Sequence, residues 1–302
     1  MANSLLSVND IKDDVKYILD LASKIKAGDI EDKPLEGKTL AMIFQKSSTR
    51  TRVSFDVGMY QLGGRAIFLS SNDLQMGRGE PISDTAKVLS RFVDGIMIRA
   101  IKHEDVVKLA KYSDVPVISG LTDLEHPCQA LADMLTVKEH FGSCEGRKIC
   151  FVGDGNNVCN SLLLIAPLLG MNISVACPKG YETSEDILNT AREYATENNT
   201  EIIVSDDIEV ALENVDVVYT DVWVSMGDEA EAAQRKIDFA PFQVNTDLMS
   251  LANDDAIFMH CLPAIRGQEV TSDVIDSDCS VIYDEAENRM HAQKAVLYYY
   301  LK

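Results

Sequence analysis

Several features are scarce or missing in this chain of 302 residues. No C-x-x-C pair occurs and the seven cysteines are an odd number, which argues against a disulfide framework or a structural zinc site. The most apolar stretch, residues 162–171, is too short to span a bilayer and contains a proline and a glycine. Residues 1–10 lack the basic segment and apolar core of a signal peptide. These absences predict a soluble, cytoplasmic protein.

Positive charge is also scarce, because 28 Lys and Arg face 48 Asp and Glu, for a net charge of −20. Such a surface repels nucleic acid and anionic membranes, so neither is expected as a partner. Against this background, a local cluster of Arg and His would stand out as an anion site. The hydrophobic share of 46% is enough for two domains with their own cores.

Strand-like and helix-like segments alternate along the chain, which predicts an α/β fold with parallel sheets. We expect two parallel-sheet α/β domains, residues 1–132 and 133–285, with a C-terminal helix, 286–302, packing back on the first. Ligands of such folds lie beyond the carboxyl ends of the strands, and we expect the active site in the interdomain cleft. The predicted strands are 39–44, 65–69, 95–99, 115–119, 148–152, 172–176, 201–204, 215–220, 256–259 and 280–283.

The segment Ser47–Arg52 is the most informative part of the chain, because it joins a predicted strand to a predicted helix over residues 51–62. The free N–H groups of a helix start, two hydroxyls and Arg50 together would bind a phosphate. Alternatively, Ser48 or Thr49 simply caps the helix and the arginines are solvated. The G-x-x-x-x-G-K-[ST] spacing is absent, which argues against a nucleotide P-loop.

Two further cationic candidates lie in the first half of the chain. Arg99 ends a predicted strand and would reach a cleft, although an ordinary surface arginine is the alternative. His126 precedes a helix that begins at Pro127, where proline is common for structural reasons alone. An imidazole at that position can donate to a carbonyl or phosphate oxygen.

A glycine-rich turn, residues 153–157, follows a predicted strand and invites a dinucleotide-binding interpretation. Val158 occupies the third glycine position of G-x-G-x-x-G, and no acid for a ribose hydroxyl follows the next strand. The turn would instead present Asn157 to a ligand.

Strand ends in the second half of the chain carry the remaining candidates. Asp221 follows a predicted strand and precedes a Ser-Met-Gly loop, which suits binding of an amino group with loop closure, although an exposed acidic loop is the alternative. Adjacent side chains on extended chain point in opposite directions, so His260 and Cys261 should not face one site together; a buried inert cysteine is the usual alternative. Arg289 is an odd basic residue among the acids of the last helix, and a cleft role would explain it.

These segments, taken together, resemble the carbamoyltransferases. The resemblance rests on Ser48-Thr49-Arg50-Thr51, His126-Pro127-Cys128-Gln129 and His260-Cys261-Leu262-Pro263 in this order, and it covers essentially the whole chain. The stretch from Asp221 to Ser225-Met226-Gly227 looks like the ornithine-specific form. The resemblance implies that carbamoyl phosphate and L-ornithine give L-citrulline and phosphate, in arginine metabolism, without a metal or cofactor.

The resemblance also implies roles for individual residues. Phosphate would be bound by Ser48, Thr49, Arg50, Thr51 and Arg99. The carbamoyl group would meet Thr51, Arg99, His126, Gln129, the carbonyl of Leu262, and Arg289, with Cys261 in the same set. The ornithine site would contain Asn157, Asp221, Ser225 and Met226, and Cys261 with Asp221 would orient the side-chain amine. The family works as a trimer, in which Gln75 would reach a neighbour's site.

Three alternatives remain open at this point. The first is a carbamoyltransferase for aspartate, putrescine or an N-acylated ornithine, the second a Rossmann-type dehydrogenase, and the third a non-catalytic binding protein with the same fold. Putrescine lacks the α-carboxylate and α-amino groups, so an enzyme for putrescine should not need the polar set around Asn157 and Asp221.

Overall fold

The computed structural model describes residues 3–30, 32–224 and 229–302, with only the backbone described at residues 77 and 229. The chain divides into two compact units, the first comprising residues 1–132 with 288–302 and the second residues 133–287. Among the described residues, no helix combines the length and the apolar composition needed to span a membrane.

The first unit is built on a four-stranded parallel sheet with the order β2-β1-β3-β4. Its strands are β1 (Thr39–Phe44), β2 (Arg65–Ser70), β3 (Gly95–Arg99) and β4 (Val117–Leu121). Phe44 pairs with Arg99, which in turn pairs with Leu121, so the carboxyl ends of three strands meet at one edge. Apolar side chains from β1, β3 and β4 form a core that is closed to water, because these strands have buried residues on both faces.

Helices alternate with these strands, as the sequence predicts. They are α1 (Val15–Ala27), α2 (Thr49–Gln61), α3 (Ile82–Leu89), α4 (His103–Tyr112) and the start of α5 (Pro127–Phe141), with short 3-10 helices at Val8–Ile11 and Gln75–Arg78. The amphipathic helix α4 buries Val106 and Leu109 against the sheet core that contains Ile96 and Ile98.

The second unit has a five-stranded parallel sheet with the order β7-β6-β5-β8-β9. Its strands are β5 (Lys148–Val152), β6 (Asn172–Ala176), β7 (Ile202–Ser205), β8 (Val217–Thr220) and β9 (Ile257–His260). Its remaining elements are α6 (Asn157–Leu168), α7 (Glu185–Asn198), α8 (Ile208–Leu212), α9 (Ala232–Asp238), α10 (Thr246–Met249), α11 (Ser272–Ile275) and the start of α12 (Ile282–Leu301), with 3-10 helices at Glu229–Glu231 and Ala240–Phe242. The unit boundaries fall within α5 and α12.

The predicted fold class of two parallel-sheet α/β domains is confirmed. One predicted strand, residues 280–283, is wrong. Ser280 forms only an isolated bridge with Phe258, and α12 begins at Ile282, four residues before the predicted helix start. Asp284 and Glu285 lie in the first turn of α12, where acids are favoured by the helix dipole, so the helix extends over the region predicted as strand.

Candidate active site

The start of α2 lies at the carboxyl end of β1 and is capped by Ser48. The Ser48 Oγ accepts a hydrogen bond from the Thr51 N–H at 3.3 Å and lies 3.0 Å from the Thr51 Oγ1. The capping role and the phosphate-site interpretation therefore do not exclude each other, because the cap fixes a helix N-terminus whose remaining N–H groups attract anions. Thr49 is the first helical residue and Arg50 the second.

Thr51 connects this helix start to Arg289. Its side chain is fully buried, and its Oγ1 accepts a hydrogen bond from the Arg289 Nη2 at 2.9 Å. Arg289 itself is only 3% exposed. The sequence predicted a binding role for Arg289, and the structure places its guanidinium beside the predicted phosphate loop.

His126 marks a concentration of positive charge in the first unit. Its imidazole is buried, and burial lowers the pKa of His126 well below its usual value. The guanidiniums of Arg289, Arg99 and Arg50 lower the pKa further, in that order. The imidazole is therefore neutral at physiological pH, and three cationic side chains lie near enough to affect it. In a chain with a net charge of −20, such a cationic cluster stands out as a candidate anion site.

Two other residues of the predicted set lie in the first unit. Gln129 is fully buried in α5, one turn after His126, and its N–H donates to the His126 carbonyl at 3.0 Å. Gln75 begins the 3-10 helix Gln75–Arg78 and is exposed. The other members of the first-unit set thus gather around α2 and His126, whereas Gln75 projects from the surface.

Asp221 is the centre of the predicted site in the second unit. It follows β8 and is 8% exposed. Its Oδ1 accepts hydrogen bonds from the Cys261 Sγ at 3.2 Å and the Val222 N–H at 2.8 Å. Its Oδ2 accepts from the Asn156 Nδ2 at 2.9 Å. The carboxylate is therefore held in one orientation by three donors from three chain segments.

Asn156 is a candidate site residue that the sequence interpretation, which selected its neighbour Asn157, did not identify. The Asn156 Oδ1 caps α6 by accepting from the N–H groups of Val158 and Cys159, which leaves its amide nitrogen for Asp221. Asn157 is the first residue of α6 and is partly exposed. The sequence signal was present, since asparagine is a favoured cap, but the contact with a carboxylate 65 residues away was not visible.

We expect Asn156→Ser to raise the KM for the amine substrate by about 10-fold, because a hydrogen bond to a charged group contributes about 1.5–3 kcal/mol. Serine still caps α6, so the free energy of unfolding should change little. Steady-state kinetics against amine concentration measures the effect, with denaturant unfolding as the check on stability. An unchanged KM would show that Asn156 does no more than cap the helix.

Cys261 is partly buried and carries a protonated thiol. Burial raises the pKa of Cys261 well above its usual value, and the negative charges of Asp221 and Glu285 raise it further. The Cys261 Sγ therefore donates a hydrogen bond to Asp221 as a thiol rather than acting as a thiolate. The role open to Cys261 is to orient neighbouring groups, not to attack as a nucleophile.

His260 and Cys261 lie closer together than the alternation of an extended chain predicts, but they do not form a dyad. Donor atoms of Asp221, His260 and Cys261 all lie within 4.8 Å of one another. The alternation of extended chain ends with β9 at His260, and Leu262 turns the chain with a φ of 57°. Both ring nitrogens of His260 are nevertheless engaged, because Nδ1 accepts from the Leu262 N–H and Nε2 contacts Glu269. His260 therefore does not serve as a base for the thiol.

The loop after Asp221 contains two predicted residues, Ser225 and Met226, that lie outside the described residues. The segment leading into it is held by Arg235, whose Nη1 donates to the Trp223 carbonyl at 3.1 Å and to the Asp154 carboxylate at 2.7 Å. Both charged side chains are nearly buried. Arg235 and Asp154 were not predicted, because their pairing joins α9 to the turn after β5.

The two units thus supply different chemistry at the carboxyl ends of their strands. The first gathers three guanidiniums and a neutral imidazole at a helix N-terminus, and the second presents an oriented carboxylate with a thiol. This combination is typical of a transferase that takes a phosphorylated donor and a nitrogen-containing acceptor.

Comparisons with known proteins identify the family. Residues 3–139 match the family model described as the aspartate/ornithine carbamoyltransferase carbamoyl-P binding domain, and residues 145–300 match its Asp/Orn binding domain. The chain therefore belongs to the aspartate/ornithine carbamoyltransferase family.

Individual relatives support the same conclusion. An ornithine carbamoyltransferase from Methanobrevibacter smithii is 76% identical over 300 residues, which cover 99% of this chain and 100% of that protein. Another from Methanosphaera stadtmanae is 59% identical, covering 99% of each chain. The solved structure of ornithine carbamoyltransferase from Pyrococcus furiosus superposes with a TM-score of 0.95 at 53% identity, covering 99% of this chain and 97% of that one.

Proposed function

We propose that this enzyme transfers the carbamoyl group of carbamoyl phosphate to the side-chain amine of L-ornithine, giving L-citrulline and phosphate. The observation that carries the proposal is the cluster of Arg50, Arg99 and Arg289 around the neutral His126. Such a cluster suits a small, multiply charged donor with a carbonyl group. The relatives named as ornithine carbamoyltransferases support ornithine as the acceptor.

The first unit would bind and activate the donor. Ser48, Thr49 and the start of α2 contribute hydroxyl and N–H donors to the phosphate, and Arg50 and Arg99 contribute charge. Because His126 is neutral, it can donate a hydrogen bond to the carbamoyl oxygen without adding to the positive charge. As the amine attacks the carbonyl carbon, negative charge develops on that oxygen and on the departing phosphate. Preorganised donors stabilise both.

The second unit would bind the acceptor. Asp221, oriented by Asn156, attracts the amino groups of ornithine, and the Cys261 thiol beside it helps to direct the side-chain amine. Asn157, Ser225 and Met226 complete the proposed ornithine set. Holding donor and acceptor in attack geometry can contribute roughly 7–11 kcal/mol to lowering the barrier. Residues 1–132 would form the carbamoyl-phosphate domain and residues 133–285 the ornithine domain.

We further propose a homotrimer in the cytoplasm, serving arginine biosynthesis. An apolar stripe of Val53, Val57 and Tyr60 is exposed on α2, at the i, i+4, i+7 spacing of one helix face. Phe68 on the edge strand β2 is also exposed, with the Arg52 guanidinium 3.8 Å from its ring centroid. Exposed apolar faces of this kind mark protein interfaces. Gln75, exposed after β2, would then be available to a neighbouring subunit.

The substrate proposal is tested by incubating carbamoyl phosphate with ornithine, putrescine, N-acetylornithine and aspartate in parallel. Phosphate release is the common signal, and citrulline is measured directly. We expect strong preference for ornithine. Release with another amine alone would keep the donor site and overturn the acceptor site. Failure with all four amines would favour a binding protein that has retained the fold.

A further inference from the structure

A buried pair of carboxyl groups lies in the second unit, outside the set of residues assigned to the substrates. Asp133 on α5 and Glu285 on α12 hydrogen-bond to each other, and both side chains are completely buried. Two carboxylates in contact and away from water cannot both stay ionised, so the pair retains one proton. Burial, followed by the charge of Asp133, raises the pKa of Glu285 well above its usual value.

Glu285 also binds the two strands that carry the amine site. Its Oε2 accepts a hydrogen bond from the His260 N–H at 2.9 Å, at the end of β9. Its Oε1 accepts from the hydroxyl of Tyr219 on β8 at 3.1 Å. Cys261 follows the first of these residues directly, and Asp221 follows the second by two positions. One carboxyl therefore connects both segments just before their functional side chains.

The turn that follows β9 needs such support. Leu262 has a φ of 57°, in the left-handed region that residues other than glycine adopt only where the surroundings enforce it. Glu269 secures the far side of the turn, where its Oε1 accepts from the Ile265 N–H and contacts the His260 Nε2 at 3.3 Å. Glu285 secures the near side through the His260 backbone. The turn is thus fixed at both sides by buried carboxyl groups.

The ionisation of the pair matters to the amine site. Burial and the charge of Asp221 raise the pKa of Cys261, and the carboxyl pair of Glu285 and Asp133 raises it further. Burial raises the pKa of Tyr219, and the same carboxyl pair raises it further. Arg289 lies one turn further along the same helix. Loss of the shared proton would place a second negative charge against Tyr219 and Cys261 and would force the two carboxyl groups apart.

We propose that Glu285 is a positioning residue for carbamoyl transfer, which holds the turn of residues 260–265 in place by means of a proton shared with Asp133. The turn carries the Cys261 thiol and the Leu262 carbonyl, so its displacement misaligns both. The sequence interpretation placed Glu285 only among the acids that favour a helix start. The kinetic test of this inference rests on the proposed function, whereas the test of the shared proton does not.

The kinetic test compares three variants of Glu285 in the full chain. Glu285→Ala removes the carboxyl that accepts from the His260 N–H, and Glu285→Asp moves it back by one methylene group. We expect kcat to fall by about 100-fold in each variant, which is the loss typical of a displacement of about 1 Å. The KM for carbamoyl phosphate should change less than kcat, because the phosphate-binding residues belong to the first unit. Glu285→Gln can accept from His260 and donate to Asp133, so it should retain most of the activity.

Asp284→Asn is the matched control, because Asp284 precedes Glu285 on the same helix and is exposed. It should have wild-type kinetics. A wild-type kcat in both Glu285→Ala and Glu285→Asp would overturn the positioning role, as would a Glu285→Gln variant no better than Glu285→Ala. If Glu285→Ala does not fold, Glu285→Asp and Glu285→Gln still decide the question.

The shared proton is tested by the denaturant midpoints of wild type and Glu285→Gln across pH. A raised folded-state pKa means that the stability contributed by the protonated carboxyl is fully present below the unfolded pKa, about 4.3. It is lost as pH rises toward the folded value. Glutamine does not titrate. The denaturant midpoint of Glu285→Gln should therefore rise relative to that of wild type as the pH increases above the pKa of the unfolded carboxyl.

A midpoint difference that is constant with pH would overturn the shared proton. This measurement requires no turnover. Wild-type protein that is inactive with every amine would therefore refute the proposed function, while the pH dependence would still decide on the carboxyl pair.

Discussion

Arg50→Ala is expected to lower kcat/KM for carbamoyl phosphate by about 100- to 1000-fold, the range seen when one preorganised donor to a developing negative charge is removed. Arg50 lies in the first turn of α2 and is one of three guanidiniums that lower the pKa of His126. Its loss removes a charged donor from the place where phosphate would depart. The variant should fold normally, because Arg50 is not part of the apolar core of its unit.

Arg91→Ala is the matched control for this experiment. Arg91 belongs to the same unit and has the same charge, but it is exposed just beyond the end of α3. Removing it changes the net charge equally and should leave turnover intact. Phosphate release and circular dichroism should be measured for both variants. Equal rates for Arg50→Ala and wild type would contradict the phosphate site at α2.

Asp221→Asn is expected to have a comparable effect on the acceptor side, with kcat/KM for ornithine falling by about 100-fold or more. The change keeps the shape of the side chain but removes the negative charge that attracts the cationic substrate. It also replaces one acceptor oxygen with an amide nitrogen, so either Asn156 or Cys261 loses its acceptor. A buried donor left without its partner costs about 1–3 kcal/mol, which adds to the loss of charge attraction.

Binding of carbamoyl phosphate alone provides the internal check for Asp221→Asn, and calorimetry should give a nearly wild-type affinity. Asp206→Asn is the matched control, because Asp206 is in the same unit and is exposed in an ion pair with Lys179 at 2.8 Å. An exposed pair of this type contributes little to stability. Loss of donor binding in Asp221→Asn, or a KM for ornithine unchanged from wild type, would contradict the assigned role.

The repeating strand and helix pattern was predictable because it depends on local composition. The strands β5 and β6 begin and end as predicted, since each is a short apolar run bounded by polar or turn-forming residues. Residues 280–283 show the limit of this reasoning. Their apolar character suits either a strand or a buried helix start, and contacts with distant chain segments decide between them.

The candidate functional residues likewise divide into those that the sequence could indicate and those that it could not. Ser48, Arg50, His126 and Asp221 could be selected from sequence because each stands at a strand or helix end. Asn156, Arg235 and Glu285 could not, because their importance lies in contacts with residues far away along the chain. The protonation of Cys261 likewise depends on burial and on neighbouring carboxylates, neither of which is a property of the motif.

The burial of five of the seven cysteines has a consequence for their chemical reactivity. Burial raises the pKa of Cys128, Cys144 and Cys177 to about 12 and that of Cys150 to about 11, and the pKa of Cys159 is raised as well. Because the thiolate is the reactive form, these side chains are poor targets for electrophiles. Carbamoyl phosphate releases isocyanic acid, which modifies thiolates, when it decomposes in water. The five buried thiols are thereby less open to carbamoylation by this breakdown product of the substrate.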